Sequence, residues 1–161
     1  MEIIRILYLE NSYETMEAFE DYFMDRIDFD FVDNIVAFDE FLFSEDEFYD
    51  LVIIDLSVNI NSTLEDLCKN IIEFVGKDIP TKVRGTLTLI GYDYIKYVMR
   101  YREKTIRMIK EGRVVVISGH IEIMKKENLL LDEVFQGIPF FDRAYTSIKD
   151  IDREIRRVIG G

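Results

Sequence analysis

Cysteine, histidine and proline are nearly missing from this chain of 161 residues, and each shortage excludes something. A single cysteine, Cys68, rules out an internal disulfide and any multi-cysteine metal site, and its place on an apolar helical stripe makes it a core residue. The one histidine, His120, has no second ligand in sight for a transition metal and reads as a loop residue. Two prolines, no repeats and no low-complexity tract leave no interdomain linker, and the length suits one core. No apolar run approaches the roughly 20 residues that span a bilayer. The opening "MEIIRILYLENSYE" lacks a basic region and a cleavage site, so the chain reads as cytoplasmic, with no membrane partner. Hydrophobic residues at 48% and charged ones at 32% are an ordinary globular balance, which excludes a disordered chain.

Positive charge is scarce overall. The formal net charge is −12, and phosphates would be repelled from most of the surface, which argues against nucleic acid as a partner. The imbalance is local: residues 1–60 carry 17 Asp and Glu against only Arg5 and Arg26, a net of −15. Residues 94–113 reverse it, with seven Lys and Arg against Glu103 and Glu111, a net of +5. Such asymmetry suits one part of a domain complementing another.

Five short runs read as strands: 2–9, 29–35, 51–55, 113–118 and 138–142. Several are apolar on both faces, the pattern of a parallel sheet covered on both sides. Between them lie helical patterns. Met16, Phe19, Phe23 and Ile27 follow a capping Ser12; a weaker pattern covers 37–50; Leu64 to Val75 form a stripe opened by Ser62 and Glu65 and stopped by Gly76. Residues 92–111 read as one helix ended by Gly112, and 147–160 as the last; residues 79–91 read as a loop with some strand. Alternating strands and helices predict a doubly wound α/β fold with a parallel sheet.

In such a sheet the site lies at the carboxyl ends of the strands. Those ends carry Glu10 and Asn11, Asp55, Ser118 with Gly119 and His120, and Asp142 with Arg143. Oxygen ligands, a hydroxyl and a guanidinium on one rim are equipment for a divalent cation and a phosphoryl group. The apolar strand "LVIID" thus ends on Asp55 where the sheet meets solvent.

The order of these features resembles a response-regulator receiver domain of two-component signalling. "RILYLENSYETMEAF" is similar to that family's first strand, acidic pair and first helix, and "YDLVIIDLSV" to its phosphoacceptor strand. "RVVVISGH" and "PFFDRAYTSIKDIDREI" resemble its fourth and fifth strands and last helix. The resemblance implies a five-stranded sheet in the order 2-1-3-4-5 and a non-enzymatic, stand-alone signalling module. It further implies that Asp55 accepts a phosphoryl group from a sensor histidine kinase or phosphotransfer protein. Mg2+ would be bound by Glu10, Asn11, Asp55 and the backbone carbonyl of Ser57. Ser118 and Arg143 would contact the phosphoryl group, Ser118 and Phe140 would act as the switch, and a changed surface would meet a downstream protein or a second copy. Four features depart from the pattern. Asn11 stands for an acid, Arg143 for a lysine and Ala144 for a proline, and residues 61–112 form an enlarged segment between the third and fourth strands. These departures carry the alternative expectation, a degenerate receiver that works as a scaffold or dimerisation module without phosphate.

Overall fold

The computed structural model describes residues 3–56, 90–119, 121–126 and 133–160. Five strands, β1 (Ile4–Leu9), β2 (Ile27–Val32), β3 (Leu51–Ile54), β4 (Val114–Ser118) and β5 (Phe140–Asp142), pair all parallel in the order β2-β1-β3-β4-β5. The arrangement is doubly wound and flavodoxin-like. Register aligns the strand ends that matter: Leu9 pairs with Val32 and with Ile54, Ile54 with Val116, and Ser118 with Asp142.

The apolar strands divide their residues by twos. Leu7 and Leu9, Val52 and Ile54, Val114 and Val116 enter one core; Ile6 and Tyr8, Leu51 and Ile53, Val115 and Ile117 enter the other. The second core is closed by α1 (Tyr13–Phe23) and α6 (Ile148–Gly160), through Phe19, Phe23, Ile151 and Ile155. The first is closed by α2 (Ile35–Phe43), α3 (Ile90–Tyr94), α4 (Glu103–Lys110) and the short α5 (Ile121–Lys126). Each large side chain so buried contributes about 1.5–3 kcal/mol, so the double core carries the fold.

Ile27, read as the last residue of the first helical stripe, instead opens β2, and a second boundary differs for a local reason. The Asn34 side chain accepts the Ala37 N–H at 2.8 Å and opens α2 there, so the second strand ends at Val32 and does not run to residue 35. Ser12 caps α1 as expected, accepting from Thr15 N–H at 3.4 Å.

The segment 92–111 is not one helix. After α3 comes a single π turn, Ile95–Met99, and then a break at residues 100–102 before α4. Arg102 is extended, and the Thr105 hydroxyl donates to the carbonyls of Met99 at 2.7 Å and Arg102 at 3.1 Å. A buried hydroxyl thus bonds the Met99 carbonyl at the end of the π turn and shares the Arg102 carbonyl with the Ile106 N–H. Gly112, at φ 72, ends α4 in a conformation that favours glycine. Within the enlarged segment expected at about 61–112, residues 90–110 are the helical crossover that leads into β4. The stripe at Leu64–Val75, Cys68, Ser57, His120 and most of 79–91 lie outside the described residues.

The basic residues of this crossover bond within the domain. Arg100 donates to the carbonyls of Val134 and Gln136, Lys104 to Leu42, and Arg113 to Tyr49 and Asp50. Deeper in, Tyr94 donates to Asp39 Oδ1 at 2.6 Å, and Arg102 lies 3.8 Å from the same oxygen. Burial raises the Asp39 pKa against the opposing pull of Tyr94 and Arg102. Tyr94→Phe therefore leaves a buried carboxylate with only its weaker partner, and urea unfolding should report a loss of about 1–2 kcal/mol. A change within error would mean that Arg102 alone satisfies Asp39.

Candidate functional site

Parallel strands 2-1-3-4-5 reverse their order between β1 and β3, and the crevice outside that point is where such sheets hold their chemistry. Glu10 follows β1 and Asp55 follows β3. Backbone bonds fix both: Glu10 N–H donates to Val32 O at 2.9 Å and Asp55 N–H to Leu9 O at 3.0 Å. On the far side, Arg143 follows β5, its N–H donating to Ser118 O at 3.0 Å. The three side chains converge because the ladder ends in step.

Arg143 joins the two acids. One terminal guanidinium nitrogen, Nη2, donates to Asp55 Oδ2 at 3.0 Å and to Glu10 Oε2. The other Glu10 oxygen, Oε1, accepts the N–H groups of Asn11 and Ser12, both at 3.0 Å. Glu10 is fully buried and Asp55 nearly so. Burial, then the Asp55 charge, pushes the Glu10 carboxyl above the ordinary carboxylate range, against Arg143 and the two amides. For Arg143 desolvation acts downward, but Asp55 and Glu10 outweigh it and raise the guanidinium pKa. The result is a buried, two-acid, one-base cluster held by charge-assisted bonds.

The other expected residues divide. Ser118 is fully buried at the end of β4, beside β3, on the same rim. Asn11 is exposed, and its backbone N–H, which Glu10 accepts, is the part of it engaged in the cluster. Phe140 stands at the start of β5, 39% exposed, its ring edge-on to Phe135 at 6.0 Å. Ser57 and its carbonyl lie outside the described residues. Gly91 was not anticipated: at the start of α3 its N–H donates to Leu56 O at 3.0 Å, and its Cα lies against the Asp55 carbonyl. A lone glycine amid apolar residues at a helix start was the available signal.

Magnesium takes about six oxygens at ~2.0–2.1 Å and tolerates little distortion. Here both Glu10 oxygens already accept N–H donors, and Asp55 Oδ2 faces Arg143. Among the described residues no three acidic, histidine or cysteine side chains come together. As arranged, three of the four oxygens of Glu10 and Asp55 accept N–H donors, two of them from the one guanidinium. No helix among the described residues is long and apolar enough to cross a membrane. Comparison with protein-family models and with curated proteins finds no match.

Proposed function

We propose that this chain is a receiver-like signalling module that works by protein contact without taking a phosphoryl group. The observation that carries the reading is the Arg143 guanidinium seated between Glu10 and Asp55. A fixed internal cation offsets one charge of the acid pair, and the planar Arg143 guanidinium bridges both carboxylates through Nη2. The neutral Asn11 lowers the attraction for a dication further. In this reading the module is a scaffold, with a downstream protein or a second copy of itself as partner.

A second reading is favoured by Asp55 and Ser118 standing at the ends of neighbouring strands, with a cation on Asp55. There Asp55 would accept a phosphoryl group from a sensor histidine kinase or phosphotransfer protein, and Ser118 would bond its oxygens. A carboxylate nucleophile suits this, since an acyl phosphate forms and hydrolyses readily.

Intact mass after incubation with Mg2+ and acetyl phosphate separates the two, with Asp55→Asn as control. The scaffold reading expects no added phosphoryl group on either protein. One group on the wild type, absent from the variant, would establish the second reading.

A further inference from the structure

At the amino ends of β3 and β4, the rim opposite Asp55, a pocket of about 380 Å3 opens, within the ~300–1,000 Å3 of ligand sites. Leu42, Phe48 and Met108 form its apolar wall. Lys104, Arg107 and Arg113 line it against one acid, Glu103, in a chain whose net charge is −12. The three cations are not equally engaged. Arg113 directs its guanidinium to the carbonyls of Tyr49 and Asp50 and to Glu111. Among the described residues the Arg107 guanidinium bonds only Glu103, at 3.4 Å, and both side chains are exposed, so that pair is weak. Lys104 meets no carboxylate among the described residues: its ammonium donates once, to Leu42 O at 2.6 Å, and two protons remain. Burial, then Arg113 and Arg102, lower its pKa, so the charges that act on it are positive. A half-buried ammonium among like charges is stabilised by an anion.

We propose that this pocket binds a small organic monophosphate, with its phosphoryl oxygens on Lys104 and Arg107 and its apolar body against Phe48, Leu42 and Met108. Lys104 and Arg107 stand one turn apart on α4, hence on one face of it. A phosphoryl group brings nearly two negative charges and three acceptor oxygens, enough for the remaining Lys104 protons and the Arg107 fork together. A carboxylate brings less of both. Phe48 is 63% exposed, and the Arg113 guanidinium lies 5.0 Å from its ring centroid, which orients the ring. Covering that ring with a flat apolar body removes surface of both from water.

The test follows the methyl NMR signals of Leu42 and Met108 during titration with phenyl phosphate at neutral pH. Inorganic phosphate serves as the analogue without a ring, benzyl alcohol as the one without charge and benzoate as the carboxylate. Saturable shifts below about 10 mM phenyl phosphate are expected, with weaker binding of all three analogues. Lys104→Gln keeps an N–H for Leu42 O and removes the charge, and phenyl phosphate affinity should fall about tenfold. Its thermal melt checks the fold; should that variant not fold, the exposed Arg107→Gln carries the test, with an expected loss of about threefold. No saturable shift up to about 10 mM, or unchanged affinity in the folded variant, overturns the site. Equal binding of inorganic phosphate overturns the role of the apolar wall, of benzyl alcohol the role of the cations, and of benzoate the choice of a phosphoryl group. None of these outcomes depends on whether Asp55, at the opposite end of the sheet, is phosphorylated.

Discussion

Arg143→Met should lower the unfolding free energy by ~2–4 kcal/mol at about pH 8, and by clearly less at about pH 5. The variant keeps the apolar stem of the side chain and removes the cation that bonds both Glu10 and Asp55. Two nearly inaccessible carboxylates are then left facing each other. Breaking a fully buried pair costs about 3–5 kcal/mol; Arg143 is 36% exposed, and solvent screening reduces the figure. The pH dependence follows from the sign of the Glu10 shift. Its folded pKa is raised, so the stability it contributes is fully present below its unfolded pKa and is lost as pH rises through its folded pKa. Removing Arg143 takes away one influence that lowers that pKa, which moves the loss to a wider window and lets acid rescue the variant. Urea denaturation at the two pH values measures both. Equal destabilisation at both would mean that Arg143 acts by packing and not by charge.

Gly91→Ala should cost about 2–3 kcal/mol, the upper part of what overpacking does, although alanine is the better helix former by about 1 kcal/mol. The added Cβ would meet the Asp55 carbonyl oxygen at 2.6 Å, Leu56 Cα at 2.8 Å and Ile54 Cγ2 at 3.1 Å. Two of these are backbone atoms in a strand end that cannot turn aside. The same displacement would move Asp55 against Arg143. Thermal denaturation reads the cost, and a stabilised variant would show that α3 can retreat from β3.

How far the sequence reached depends on the kind of residue. Strands β3 and β4 stood out because Leu51–Ile54 and Val114–Ser118 are apolar on both faces, and the site rim followed from where those runs stop. The break in 92–111 was hidden, because Ile95, Val98, Met99 and Ile109 keep a helical spacing straight through it. Only the side chain of Thr105, bonded back to Met99 and Arg102, marks the interruption, and threonine inside a helix is ordinary. Helix α5 is six residues long, too short for a period to register. Tyr8 counted as one more apolar residue of β1, and Tyr94 as one more of the crossover. Their hydroxyls, both buried and one of them on Asp39, become informative only when the packing is known.

We propose that Arg143 stands in the acid pair where a metal would otherwise sit. The most direct measurement is a Mg2+ titration of the wild type, up to about 10 mM, followed by the backbone amide signals of Asn11, Ser12 and Asp55. Two of those amides donate to Glu10 and the third anchors Asp55 to β1, so a cation on either acid must shift them. No saturable change in these signals is expected. A saturable shift that begins below millimolar Mg2+ would contradict it, since the acids would then give up Arg143 for a metal.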